Sequence, residues 1–447
     1  MSKLPSTWID VEIGEIAEVM GGGTPKANDV ENFTAPGEGI AWLTPADLSG
    51  YKRKEIAFGA RDLTLEGYKS CSAKLMPKGS LLFSSRAPIG YVAVAANEIA
   101  TNQGFKSFVL PHGIDPSYAF YYLKSIRQLA DSLGTGTTFK EISGATAKTL
   151  PFRLAPTAEQ TRIAAKLDEL LAQVDTLKVR IDGIPALLKR FRQSVLAAAV
   201  SGRLTKEWRV AVHETSQDQG FLYPVRRLGV IARFIDYRGK TPEKVDSGVP
   251  LITAKNIKSG YISRVPREFI RPEAYESWMT RGIPKVGDVL ITTEAPLGNV
   301  AVIDITEKFA LAQRTICLQF HEGYSSSFAA IALQSSVLQE ELARRSTGTT
   351  VKGIKASVLK EIGLPAPSID EQNEIVHRVE QLFAYAEQLE AKVSEAKKRI
   401  DHLAQSILAK AFKGDLVPQD PNDEPADMLL ERIKAQRTAA PKATRSR

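Results

Sequence analysis

Cysteine is almost absent from this chain of 447 residues, which holds only Cys71 and Cys317. Neither a disulfide framework nor a four-ligand zinc site can be built from two such residues, and a reducing cytoplasm is the expected setting. Histidine is scarce as well, with five residues, and His112, His213, His321 and His402 show no metal-ligand spacing. The stretch Met1 to Trp8 has no apolar signal core. No segment approaches the roughly 18 apolar residues of a spanning helix, so membrane insertion is not expected.

Catalytic motifs are missing too. Gly239-Lys240-Thr241 resembles the end of a phosphate-binding loop, but the glycine required at position 234 is Phe234. Gly21-Gly22-Gly23 and Gly134-Thr135-Gly136 lack the strand, spacing and acidic partner of a dinucleotide site and read as flexible loops. Glu374-x-x-His377 could set two ligands on one helix face, yet the corresponding positions of the repeat described below are Arg162 and Ala165. There is no Asn-Pro-Pro or Asp-Pro-Pro tetrapeptide of the amino-methyltransferase kind and no Gly-x-Ser-x-Gly elbow. The chain is expected to be non-catalytic by itself.

What is present is ordinary in bulk and unusual in order. Composition is 43% hydrophobic and 25% charged, as in a soluble protein of more than one domain. Lys and Arg exceed Asp and Glu by 59 to 51, which suits an anionic partner but carries little weight alone. The order is a repeat. Thr135, Gly136, Thr137, Thr138, Lys140 and Ile142 return as Thr347, Gly348, Thr349, Thr350, Lys352 and Ile354. With no gap, Glu159-Gln160 becomes Glu371-Gln372, Gln193-Ser194 becomes Gln405-Ser406, and Gly202 becomes Gly414. So long a period means a duplicated domain rather than a solenoid. Upstream the match is looser: Ser80 to Ser85 answers Asp288 to Thr293, each followed by Ala-Pro-x-Gly, and Thr24-Pro25 answers Thr241-Pro242. These parts read as short strands and turns in two globular heads that have drifted apart.

The connectors read as long helices. From Glu371 to Lys413 there is neither Gly nor Pro, and Ile375, Val379, Leu382, Ala386, Leu389, Val393, Ala396, Ile400, Leu403 and Ile407 form an alternating 4,3 seam. Ile163, Leu167, Leu170, Val174, Leu177, Ile181, Ile184 and Leu188 hold the same register, interrupted at Gly183 and Pro185, where a kink or short break is expected. Two matching seams in one chain are most simply buried against each other, antiparallel if a two-fold axis relates the copies. The uninterrupted helix would be about 65 Å long. After it, a Pro-rich segment and a short amphipathic piece with Met428, Leu429, Leu430 and Ile433 lead to Arg432–Arg447, a stretch with basic and no acidic residues that reads as a mobile tail.

The helices carry a resemblance. Ala158 to Asp175, Leu188 to Leu196, Glu371 to Ala386 and Gln405 to Phe412 resemble the conserved regions of specificity subunits of type I restriction-modification systems, above all the enterobacterial kind. The likeness spans essentially the whole chain and is weaker in the heads. It implies an α+β fold of two mixed α/β target-recognition domains joined by two long antiparallel coiled-coil helices, with a pseudo-two-fold internal repeat. The implied boundaries are residues 1–155 and 206–367 for the recognition domains, 156–205 and 368–416 for the helices, and 417–447 for the basic tail. It further implies double-stranded DNA as partner, each domain reading one half of a bipartite asymmetric site. The helices would set the spacing and dock two modification subunits that methylate adenine N6, with restriction subunits joining in the full complex. No cofactor is implied in this chain; S-adenosylmethionine, ATP and Mg belong to those partner subunits.

Base readers follow only from residue type and location. Arg and Lys suit guanine, Asn and Gln suit adenine, and Thr is versatile. In the first head Arg86, Gln103, Lys106, Thr137, Thr138 and Lys140 lie in expected loops; in the second, Lys255, Asn256, Gln313, Arg314, Thr349, Thr350 and Lys352. For any one of them a phosphate contact or a solvated role is the more common fate, and Gly136 and Gly348 are expected to shape their loops. Two rival readings make different demands. A self-contained methyltransferase or nuclease would bind cofactor alone, and a coiled-coil adaptor would bind no DNA selectively.

Overall fold

The computed structural model describes residues 4–86, 88–136, 140–213, 222–237, 242–348 and 351–439. The candidates Thr137, Thr138, Thr349 and Thr350, the Gly239-Lys240-Thr241 segment and the last residues of the basic tail lie outside them. The chain divides into two compact units, Met1–Ile181 with Ala396–Arg447, and Asp182–Glu395.

In the first unit, a sheet is ordered Glu18–Gly21, Lys106–Val109, Leu81–Phe83, Val92–Ala95, Glu55–Ile56. Its neighbours pair antiparallel except the last two, which are parallel. Leu81, Leu82 and Phe83 are all fully buried, as an apolar strand covered on both faces requires. In the second unit Ala232–Asp236, Thr315–Phe320, Val289–Thr292 and Val300–Val302 form the corresponding antiparallel sheet. Each head adds a parallel pair, Trp42–Leu43 with Ala100–Thr101 and Val249–Ile252 with Ala310–Leu311. Each is closed by a ribbon of its first and last strands, Ile9–Glu12 with Pro151–Leu154 and Val225–Arg227 with Gly363–Pro365. The repeat is therefore one of topology as well as sequence.

The Glu-Gln pair opening each long helix ties it to its own head. Gln160 Oε1 accepts from the Asp115 backbone N–H at 2.9 Å, and Gln372 Oε1 from that of Ser325 at 2.7 Å. Asp115 and Ser325 are in turn the N-caps of the helices Pro116–Ser125 and Ser326–Gln334. Glu159 and Glu371 are buried beside them. Glu159 accepts from Trp8 Nε1 at 2.8 Å and from Gln419. Glu371 accepts from Thr205 Oγ1 at 2.7 Å and Tyr223 OH at 2.6 Å and pairs with buried Arg209.

The long helices are Thr157–Val200 and Ile369–Ala411, of 44 and 43 residues. Their pairing is antiparallel within each unit. In the first, Lys178 meets Asp401 at 2.8 Å while the earlier Arg153 donates to the Phe412 carbonyl. In the second, Arg192 meets Glu390 at 2.6 Å while Arg378 donates to the Leu204 carbonyl at 2.9 Å. Leu167, Val174, Ile400, Ile407 and Phe412 join the core of the first head, and Val195, Leu196, Ile375 and Val379 that of the second.

Three expectations change. The central helix runs unbroken through Gly183 and Pro185. Pro185 forfeits one bond to the Ile181 carbonyl, and the remaining turns carry the helix across it. The seam also departs from its strict alternation, because Leu177 and Leu403 are 43% and 44% exposed. Beside them Lys178 takes its pairing with Asp401, and the half-buried Ala404 packs against the core that holds Ile400 and Ile407. Finally, Arg432–Ala439 is no loose tail. It belongs to the helix Ala426–Ala439, whose Leu429, Leu430 and Ile433 are buried in the first head's core. The Ala426 N–H donates to Thr7 O, and Arg437 donates to the carbonyls of Gly14 and Glu15 at 2.8 and 2.6 Å.

Candidate nucleic-acid interface

Of the sequence-selected residues, Arg86, Gln103, Lys106 and Lys140 in the first head and Gln313 and Arg314 in the second sit on one construction that occurs once in each head. A strand end, a turn and a returning loop are stitched together by main-chain bonds. In the first head Ser85 N donates to Gly104 O at 2.8 Å, Ile142 N to Ser85 O at 2.9 Å, and Thr135 and Glu141 exchange bonds of 3.0 and 2.9 Å. In the second, Thr293 N donates to Arg314 O at 2.9 Å, Ile354 N to Thr293 O at 3.0 Å, and Thr347 and Gly353 exchange two bonds of 2.9 Å. The glycines of the returning loops have φ of 121° at Gly136 and 109° at Gly348, a left-handed conformation in which a side chain is strained. They shape the loop, as expected of them.

Onto this scaffold the first head places Arg86 on the strand end, Gln103 on the turn, Lys106 where the next strand begins, and Lys140 on the returning loop. Glu141 binds two of them: its Oε2 lies 3.6 Å from Arg86 Nη1 and its Oε1 3.3 Å from Lys106 Nζ. Lys140 turns instead to Asp131, 3.4 Å away. Gln103 accepts a hydrogen bond from Thr24, which ties the Thr24-Pro25 segment to the turn. Gly22 and Gly23 adjoin it. A Cβ on Gly22 would stand 2.0 Å from the Asn102 carbonyl oxygen, and one on Gly23 2.3 Å from the Ala73 nitrogen. These glycines are packed backbone, not the flexible loop their composition suggested.

In the second head the strand end carries the opposite charge, and the arginine stands on the turn. The strand end is Glu294, the turn is Gln313-Arg314, and Arg314 Nε lies 2.6 Å from Glu294 Oε1. Arg314 has φ 72°, one of two non-glycine residues with positive φ among those described. A cleft of about 340 Å³ beside the pair is lined by Gln313, Arg314, Thr347 and Gly353. The adjacent cleft, about 210 Å³, brings Lys255 and Lys244 to the same Gln313 and Arg314. Lys352 lies apart, lining a third cleft with Pro296 and Gln339.

Asn256 is withdrawn from the candidate readers. It is 2% exposed, its Oδ1 accepts from the N–H and hydroxyl of Thr253 at 3.0 and 2.8 Å, and its Nδ2 donates to the carbonyls of Ser263 and Pro266 at 3.0 and 2.9 Å. All its hydrogen-bonding capacity is used inside the head. Asp47 performs the first part of that role in the first head, accepting from Thr44 N–H and hydroxyl, both at 2.7 Å. Conversely, the sequence reading passed over Glu141 and Glu294. The repeat sets Arg86 opposite Glu294, a reversal of charge, and Glu141 opposite Gly353, but it does not show which side chains meet.

Burial, reinforced by the Asp288 carboxylate, pushes the Cys317 thiol far up, which makes it a poor nucleophile. Among the described residues no group of His, Cys, Asp and Glu is placed to hold a metal ion, and no helix is long and apolar enough to cross a membrane.

Comparison with known proteins agrees with the repeat. The family model "Type I restriction modification DNA specificity domain" matches residues 5–186 and again 227–397. The EcoBI specificity subunit of Escherichia coli is 36% identical over an alignment covering 71% of this chain and 70% of that one. The EcoKI specificity subunit of E. coli K12 is 29% identical across 98% and 97% of the two chains. The solved HsdS subunit from Thermoanaerobacter tengcongensis superposes with a TM-score of 0.62 over 93% of this chain and 98% of that one, at 21% identity, and shares the fold.

Proposed function

The chain belongs to the type I restriction-modification specificity family, and on that premise we propose that it is the DNA-reading subunit of such a complex, with no catalytic step of its own. Each head binds one half of a bipartite, asymmetric double-stranded site. The two long helices hold the halves at a set spacing and dock two modification subunits. S-adenosylmethionine is bound there, and adenine N6 methylation follows; restriction subunits add ATP- and Mg-dependent cleavage. The observation that carries this reading is the duplicated scaffold of strand end, turn and loop, built from the same main-chain bonds in both heads but furnished with different polar side chains. Equal scaffolds with unequal contact residues suit two readers of two different sequences.

The test is to map methylated adenines in host DNA with and without the gene. The expected result is a two-part motif with an unspecified gap that disappears when the gene is removed. An unchanged methylation pattern would reject the reading. Calorimetry separates the rivals: binding of S-adenosylmethionine by the isolated chain would favour a self-contained methyltransferase, and a complex with no sequence preference would favour an adaptor.

A further inference from the structure

Both heads hold an arginine against a carboxylate at the same point of the shared scaffold, but with the two charges on different strands. In the first, Arg86 comes from the strand end and Glu141 from the returning loop. In the second, Glu294 comes from the strand end and Arg314 from the turn. An ion pair recurs, but from different elements: the carboxylate stands on the returning loop in one head and the strand end in the other, the arginine on the strand end in one and the turn in the other. Neither pair is sequestered: the side chains of Arg86 and Glu141 are 34% and 38% exposed, those of Arg314 and Glu294 51% and 39%.

We propose that these pairs are the principal specificity determinants, each reading one G·C base pair, one in each half-site. Arg86 and Arg314 address guanine, while Glu141 and Glu294 orient the guanidinium and offer an acceptor to the cytosine across the pair. This inference rests on the DNA-reading role proposed above and deepens it. The chemistry is complementary: in the major groove guanine presents the acceptors O6 and N7, which a guanidinium fork meets with two donors, and cytosine presents the N4 amino donor, which a carboxylate accepts. A phosphate anchor is the natural alternative for a surface arginine, but an adjacent carboxylate repels phosphate, whereas it suits a base pair that displays both a donor and acceptors. Orientation matters as well. A fork binds two atoms best when its plane is held: Arg314 Nε lies 2.6 Å from Glu294 Oε1, whereas Arg86 stands 3.6 Å from Glu141, an ion pair beyond hydrogen-bonding length, with Glu141 also 3.3 Å from Lys106. In the second head the arginine stands in a turn with a left-handed backbone at φ 72°, a conformation uncommon for a residue with a side chain and concentrated at functional sites.

The test uses the full chain in complex with its modification subunits, acting on a duplex library with randomised bases in both half-sites, followed by sequencing of methylated products. Arg86→Lys keeps the charge and removes the fork. It is expected to lower the preference for one G·C pair in the first half-site by about tenfold or more while the second half-site stays sharp; Arg314→Lys should do the reverse. The untouched half-site reports that the variant is folded. Glu141→Gln and Glu294→Gln should blunt the same positions as their partner arginines. The proposal is overturned if the lysine variants keep both motifs sharp, whether methylation is unchanged or weakened equally at all sequences, the latter with a shallower salt dependence as for lost phosphate contacts. Loss of preference at a base pair other than G·C would overturn it equally. A wild-type complex without a two-part motif would instead reject the function on which the proposal rests.

Discussion

At the scale of single residues, the Glu-Gln pair at the head of each long helix is one motif put to two electrostatic uses. Glu371 is 4% exposed and pairs with Arg209, itself 8% exposed. Glu371→Gln removes the carboxylate from that buried ion pair, and unfolding by denaturant should show a loss of about 3 kcal/mol or more. Glu159 accepts from two neutral donors, Trp8 and Gln419. Burial raises its carboxyl above the ordinary range, with the hydrogen bonds from Trp8 and Gln419 opposing. The folded state therefore holds that proton more tightly than the unfolded chain does. Its contribution to stability is greatest in acid and declines as pH rises from the ordinary carboxylate value through the raised one. Denaturation midpoints measured across that interval should fall for the parent protein and lose this component in Glu159→Gln; equal slopes in both would contradict the assignment.

At the scale of elements, the two long helices were legible because a 3.5-residue apolar period survives in sequence whatever it packs against. Where the seam meets other contacts the period misleads, and Leu177 and Leu403 end up half exposed while Lys178 makes the interhelical bond. Pro185 misled in the other direction, because propensity argues for a break that packing on both flanks overrides. Gly183 stands exposed in that unbroken helix with nothing within 4 Å of a Cβ built on it. Gly183→Ala should accordingly raise stability by about 1 kcal/mol, seen as a higher melting temperature, and a decrease would mean that the helix is not continuous there. The C-terminal segment was misread because its charges are conspicuous and its apolar face is short. Ala426, Leu429, Leu430 and Ile433 follow helical spacing, but only the first head's core shows what they are for. The Arg–Glu pairs were out of reach for another reason: residues 86 and 141 are brought together by the sheet, and no local pattern joins them. Ending the chain at Val417 removes the helix Ala426–Ala439 and uncovers apolar side chains of the first head. At about 1.5–3 kcal/mol for each large side chain lost from the core, the truncated protein should show an early unfolding step confined to that head, read by hydrogen exchange of its strands.

At the scale of the whole molecule, the question is whether the helices measure distance or merely support the heads. The antiparallel pairing allows the two to be separated. Lys178 faces Asp401 at 2.8 Å in the first unit, so an insertion between Leu177 and Lys178 is matched by one between Asp401 and His402. Seven residues in each helix preserve the side-chain register, since a heptad returns to nearly the same face with a drift of about 20°. The added length is about 10 Å, the advance of roughly three base pairs at 3.4 Å each. Neither head is altered, so both half-site sequences should be retained. If the helices act as the ruler, methylated sites from cells expressing the lengthened protein will carry the same two half-sites separated by a gap about three base pairs longer. A single insertion in the central helix alone is the control: it breaks the register of the pair, and methylation should fall without a new, well-defined gap. Retention of the original gap at full efficiency in the doubly lengthened protein would show that something other than these helices sets the spacing, and would leave them the lesser role of completing the cores of the two heads.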